Sequence, residues 1–223
     1  MALAVASGGW HGAPSPNSRA MITPLTLMTV YLALDIECTG ENPWTSSVIA
    51  IGACLGRQDG TVLEQRFWYL QPLPGESMST KTHTEFWDKN ADVLKVIESG
   101  AKPGVGQVRE FTEWLRALAG KYAELELVSD NPSFDLGRID ILIGRAGLGT
   151  EFGSIRYMGS NRYIKARDPS SELRAAKRIG TKERVELLLA QWRAHYRVPV
   201  HDHLPMNDAT SIYYDQVFVE QFR

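Results

Sequence analysis

Cysteine is scarce, with Cys38 and Cys54 the only two in 223 residues. That count suggests neither a disulfide framework nor a zinc site, and it fits a reduced, intracellular, cytoplasmic protein. A large excess of either charge is lacking too. Twenty-four Lys and Arg face 26 Asp and Glu, a net charge of −2, so no global basic field advertises a polyanionic partner, although a local basic patch stays open. No apolar run approaches the roughly 20 residues of a membrane-spanning helix. There is no G-x-S-x-G, no P-loop, and neither cysteine has a nearby histidine in sequence. Serine and cysteine nucleophile schemes are therefore without support. No internal repeat is present.

What remains is an ordinary globular composition, 43% hydrophobic and 22% charged, long enough for one sizeable core. Residues 1–27 stand apart: rich in Gly, Ala, Ser and Pro and without a sustained period, they read as a disordered leader rather than a secretory signal. Residues 28–223 read as one domain. Apolar, β-favouring runs at 29–37, 46–56 and 62–73, joined by short turns, predict an antiparallel meander. Residues 124–130 predict a fourth strand, and a short fifth falls near "RYIKA". Helical spacing predicts helices over 82–100, capped by Thr82 or Thr84, and over 106–122, 132–147, 182–196 and 207–222. A meander followed by alternating helices and strands is an α/β arrangement, a mixed sheet flanked by helices.

The stretch "YLALDIECTG" carries the chemistry. Asp35 and Glu37 are two apart, so on a strand they share a face. Two carboxylates side by side on an apolar strand repel each other and are costly to desolvate. A hard divalent cation, Mg²⁺ or Mn²⁺, removes the difficulty; a frayed strand end in water is the alternative. Asp135, behind Phe134 in "SDNPSFD", and Asp208, in "HDHLPMNDAT", each read equally well as a favourable charge in the first turn of a helix. His203 by itself reads as a solvated loop residue.

Taken together, the D-x-E-x-T-G stretch, the F-D at a helix start and the terminal H-x(4)-D resemble the DEDDh exonucleases. The resemblance covers roughly residues 28–220. It implies an RNase H-like α/β fold, with a three-stranded antiparallel meander plus parallel strands, and removal of single nucleotides from the 3′ end of DNA or RNA using two metal ions. Carried over by position, Asp35, Glu37, Asp135 and Asp208 are the metal-binding carboxylates, with Mg²⁺ or Mn²⁺ as cofactor. His203 is the general base, and Thr39 and Gly40 lie against the terminal nucleotide. Relatives acting on RNA are often dimers, so a homodimer is among the expectations. Departures are Cys38, where many relatives have Thr; Asp130-Asn131, where His-Asn is common; Pro205 after the histidine; and His201, a second histidine beside the base. The alternatives are an inactive nucleic-acid-binding module of the same fold and a phosphohydrolase of small nucleotides.

Two further features bear on substrate. Nine Lys or Arg against three acids lie between Arg156 and Arg184, a segment suited to a phosphate backbone or simply a solvated surface. Trp87 and the "FWYL" stretch at 67–70 offer stacking surfaces or core packing.

Overall fold

The computed structural model describes residues 28–157, 164–177, 179, 181–199 and 201–222; the expected leader lies outside them. Its centre is a five-stranded sheet in the order β3-β2-β1-β4-β5. Strands β1 (Val30–Cys38), β2 (Val48–Arg57) and β3 (Val62–Tyr69) form the antiparallel meander, and β4 (Leu125–Val128) and β5 (Ala166–Arg167) add parallel to β1. All nine residues of β1 are buried, because helices cover both faces of the central strand.

Period-two alternation decides what each face of β1 meets. Leu32, Leu34 and Ile36 pack into the main core with Val108, Phe111 and Leu115 of α3 (Gly104–Lys121) and Leu136, Ile139 and Ile143 of α4 (Pro132–Arg145). Tyr31 and Ala33 face the other way, against Ala209, Ile212 and Tyr213 of the last helix, Pro205–Glu220. Asp35 and Glu37 continue that second face. Since β1 and β4 run parallel, their carboxyl ends open on one rim, where ligand crevices of α/β sheets form.

The expected helix over 82–100 is instead three pieces: α1 (Thr80–Glu85), a 3₁₀ turn (Trp87–Lys89) and α2 (Ala91–Gly100). The cap is Ser79, whose side chain accepts from the Thr82 N–H. Trp87 causes the break: it is buried, and its indole N–H donates to the Cys38 carbonyl at 3.1 Å. Past the short α5 (Gly149–Phe152), the chain forms α6 (Pro169–Lys177), which the sequence reading treated only as part of a basic segment. Its start is marked by Pro169 and by Asp168, which accepts from the Ser171 N–H at 3.1 Å. Helices α6 and α7 (Lys182–Tyr196) cover the outer side of the last helix, α8, through Leu173, Val185, Leu189 and Val219. Among the described residues no helix is long and apolar enough to cross a membrane.

Helix α8 sits unusually close to the sheet because β2 carries Gly52 and Gly56 beneath it. A Cβ on Gly52 would lie 1.8 Å from the Pro205 carbonyl oxygen, and one on Gly56 would lie 2.2 Å from the Tyr213 ring. Gly52 is the register partner of Asp35, so this close approach brings the start of α8 directly beside the acidic end of β1. Gly52→Ala forces α8 outward and is expected to destabilise by about 1–3 kcal/mol, a fall in Tm of roughly 3–10 °C for a chain of this length. Gly137→Ala, in α4 with nothing within 4 Å of the added Cβ, raises Tm slightly. Differential scanning calorimetry of both variants measures this; equal Tm values would show that α8 is not held against Gly52.

Candidate active site

A cavity of about 390 Å³ opens at the rim, lined by Asp35, Glu37, Asp135, His201 and His203 among others. Asp35 and Glu37 project from the end of β1. Asp135 comes from the first turn of α4 and Asp208 from the first turn of α8. All four carboxylates are buried, Asp208 completely. Carboxylate oxygens of Asp35, Glu37 and Asp208 lie within 4.8 Å of one another. Asp135 lines the same cavity without joining that tight group, and its carboxylate accepts a hydrogen bond from the Ser129 hydroxyl.

The electrostatics are those of crowded, desolvated acids. Burial, then the charges of Glu37, Asp135 and Asp208, push Asp35 well above the usual carboxylate range. Burial raises Asp135 to about 7 against the pull of Ser129, and Asp208 to about 6. Glu37 is raised as well: His203 pulls it down, but burial outweighs the histidine. One carboxylate oxygen of Asp35, Oδ2, is buried without any hydrogen-bond partner. An orphaned anionic oxygen among three other acids is a donor set that fits a hard divalent cation.

His203 stands over this group with Nδ1 3.5 Å from Glu37 Oε1. Glu37 is the main cause of its raised pKa. Its backbone is in the left-handed region, φ 62°, which few residues other than glycine adopt. The Asp208 carboxylate holds this turn by accepting from the backbone N–H groups of Asp202 at 3.0 Å and His203 at 3.1 Å. Phe86 braces the imidazole edge-on, ring centroids 4.8 Å apart. His201 Nε2 lies 3.3 Å from Asp208 Oδ2; burial and then His203 lower its pKa.

The other expected residues divide. Gly40 lines the cavity, and its lack of a side chain also lets Ser46 and Ser79 approach, each 3.0 Å from where a Cβ would sit. Thr39 is buried and does not line the cavity. Its hydroxyl accepts from the Ser47 N–H at 2.8 Å and donates to the Ser77 carbonyl at 3.1 Å, so it ties the turn together. Asp130 is exposed on the cavity rim. Trp87 offers no stacking surface, being buried, and of the 67–70 stretch Trp68 and Leu70 are core. The aromatic rings that do line the cavity are Phe86 and Phe134. The basic segment is not a uniform patch. Arg162 and Arg178 lie outside the described residues. Arg167 pairs with Glu126 and Glu172, and Lys165 with Glu126. Arg174 and Lys182 line a second cavity of about 230 Å³ that also contains Asp130, Asp168 and Glu186.

Three side chains had no assigned role in the sequence and prove structural to the site. Ser129 precedes Asp130 and Asn131 and anchors Asp135. Arg138, one turn beyond Phe134, lies under its ring at 4.3 Å and donates to Ser46 Oγ at 3.1 Å and to the Glu41 carbonyl. Glu76, also buried, accepts from Ser47 Oγ and pairs with Arg145 at 2.9 Å, pinning the 73–79 loop beneath the Thr39-Gly40 turn.

No protein-family model matches the sequence, and no curated protein matches it. Solved structures do match in shape. E. coli Exonuclease I in complex with a dT13 oligonucleotide superposes with a TM-score of 0.63 at 10% identity, covering 86% of this chain and 41% of Exonuclease I. The chain therefore spans about two-fifths of that enzyme's length. The nuclease domain of 3′hExo, a DEDDh family member, bound to rAMP, gives 0.62 at 11% identity, covering 88% of this chain and 94% of the domain. A 3′-exonuclease structure describing 3′-end recognition of a histone mRNA stem-loop gives 0.59 at 10% identity, covering 87% and 82%. The chain has the RNase H-like fold of the DEDDh exonucleases.

Proposed function

We propose that the protein is a metal-dependent 3′-to-5′ exonuclease that hydrolyses single-stranded nucleic acid, or frayed 3′ ends, to nucleoside monophosphates. The observation that carries this is the grouping, at one cavity that Asp35 and Glu37 line, of three carboxylates within 4.8 Å of one another and a histidine 3.5 Å from one of them. These residues come from β1, from α8 and from the loop before it, and nothing in core packing requires acids there. The likeness of fold to exonucleases bound to an oligonucleotide and to rAMP supports the same reading.

Asp35, Glu37 and Asp208, with Asp135 at the edge, would hold Mg²⁺ or Mn²⁺. Bound there, a pair of such ions would activate a water and stabilise charge on the scissile phosphate and the leaving 3′ oxygen. The chain's own residues do the rest. His203 takes the proton of the attacking water at its imidazole. In the ion-free protein Glu37 favours the charged imidazolium; once Glu37 is neutralised by a cation that bias is gone, and the imidazole is free to accept. Phe86 and Phe134 line the cavity where the terminal base would stack. Gly40 and Glu41 form its rim. Stacking tolerates any base, so the reading carries no sequence preference.

Asp35→Asn and Glu37→Gln are each expected to lower turnover of a 3′-labelled oligonucleotide by at least about 10²-fold. In EDTA Asp35→Asn replaces a buried, crowded carboxyl and is not expected to lower Tm; Glu37→Gln also gives up the contact with His203 Nδ1, so its folding is checked by circular dichroism. Undiminished nuclease activity in both variants would defeat the assignment. Calorimetric titration with Mn²⁺ separates an active enzyme from an inactive binding module, and cleavage of a dinucleotide beside long DNA and RNA strands separates it from a small-nucleotide phosphohydrolase.

The raised carboxyls also set a pH dependence. A carboxyl whose folded pKa exceeds its unfolded value binds more protons folded than unfolded between the two, so stability falls as pH rises through that window. For Asp135 and Asp208 the window runs from 3.8 to about 7 and about 6. The ion-free protein therefore loses stability from pH 4 to 7, on the order of a few kcal/mol in total. A cation replaces the lost protons, so the gain in Tm on adding Mg²⁺ is expected to be small near pH 5 and to grow toward pH 8. A gain independent of pH, measured by thermal melts in EDTA and in Mg²⁺, would contradict cation binding by these acids.

A further inference from the structure

The Asp208 carboxylate belongs to two donor sets. One is the all-oxygen group with Asp35 and Glu37. The other is formed with His201 and His203: one ligand atom from each of these three residues lies within 4.8 Å of the others. The imidazoles meet edge to face with centroids 5.1 Å apart, and His201 Nε2 already sits 3.3 Å from Asp208 Oδ2. We propose that His201, His203 and Asp208 form a second metal site that takes a borderline divalent ion such as Zn²⁺, and that its occupation inhibits the enzyme.

The chemistry of the donors separates the two sets. Mg²⁺ and Mn²⁺ prefer oxygen, whereas two imidazoles and one carboxylate are a donor set for Zn²⁺, at about 2.0–2.2 Å from each ligand. Drawing three atoms now within 4.8 Å onto such an ion needs a shift of about an ångström, within reach of the half-exposed His201 and His203 side chains. With three protein ligands the fourth position stays open to water. His201 is the residue that makes the site: His203 and Asp208 already serve the proposed hydrolysis, whereas His201 has no part in it. A Zn²⁺ ion here would engage the His203 imidazole that the proposed hydrolysis needs as proton acceptor, and would compete for the Asp208 carboxylate shared with Asp35 and Glu37. The two metal states are thus mutually exclusive through shared residues.

The inference rests on the proposed function for its inhibitory consequence but not for the site itself. The test is therefore a binding measurement first. The 223-residue protein and its His201→Ala variant are titrated with Zn²⁺ by calorimetry in the presence of Mg²⁺, and with Co²⁺ while the visible d–d absorption is recorded. The wild type is expected to bind one Zn²⁺ at least tenfold more tightly than His201→Ala and to give a Co²⁺ band that the variant lacks. Circular dichroism and Tm of the two proteins serve as the check on folding. In the oligonucleotide assay, the Zn²⁺ concentration for half-inhibition in Mg²⁺ is expected to rise at least tenfold in the variant. Equal Zn²⁺ affinity in the two folded proteins overturns the site. Tighter Zn²⁺ binding by the wild type with unchanged inhibition overturns the inhibitory role. Absence of any nuclease activity defeats the functional proposal while leaving the binding result to decide the site.

Discussion

Three carboxylates within 4.8 Å of one another, in a place from which water is largely excluded, repel one another, and the fold has to hold them there. Coulombic repulsion grows as the local dielectric falls, so the cost is greatest where the acids are most buried. The structure bears it by confining the acids to the last few residues of one face of one strand. Upstream on that face, Tyr31 and Ala33 pack against α8, and the opposite face of β1 belongs wholly to the main core. The strand is anchored by hydrophobic burial over most of its length, so the strained end is carried by a well-fixed element.

Helix α8 is the second half of the arrangement. Fixing Asp208 beside β1 requires the start of α8 to lie almost on the sheet, which Gly52 permits. It also requires the helix not to slide or lift away. Its outer side is covered by α6 and α7, and the pairing of Arg193 with Asp215 and the bond from the Trp192 indole to the Tyr214 carbonyl at 3.2 Å tie α7 to it. At its start, the Asp208 carboxylate accepts two backbone N–H groups from the turn that carries His203. That single acid therefore orients the histidine as well as contributing to the acidic group, which explains how a loop residue with φ 62° is held at a fixed distance from Glu37.

The sequence made some of this legible and hid the rest for definable reasons. Period-two spacing placed Asp35 and Glu37 on one face; of the other motif residues, Asp135 and His203 line the same cavity and the buried Asp208 lies within 4.8 Å of Asp35 and Glu37. The meander and most helices were likewise written in apolar periodicity. Helix α6 was obscured because its nine residues bury little beyond Pro169 and Leu173 while its charges dominate the pattern. The break at Trp87 is a tertiary effect: helical spacing over 82–100 is present, but the indole bond to Cys38 overrides it. Thr39 illustrates the limit of motif transfer, since its place in the motif gave no sign that its hydroxyl is spent on Ser47 and Ser77. Ser129, Arg138 and Glu76 act only by supporting other groups, and no local pattern marks such residues.

The aromatic lining of the cavity bears on how a nearly neutral protein would hold a polyanion. Trp87 is buried with its indole bonded to the Cys38 carbonyl, and Phe86 beside it reaches His203 and the cavity. On the other wall, the buried Arg138 lies against Phe134 at 4.3 Å, fixing a ring that would otherwise be free to turn away. Lys81, also on the cavity, is paired with Glu41 at 2.8 Å on the open surface, where such a pair contributes little. Among the described residues lining the cavity, Lys81 is the one Lys or Arg, and it is so engaged, so the lining itself is acidic rather than basic. Under the proposed function, attraction would come from the faces of two held rings and from the charge that neutralises the carboxylates, which would favour a terminal base and its phosphate over a long stretch of backbone.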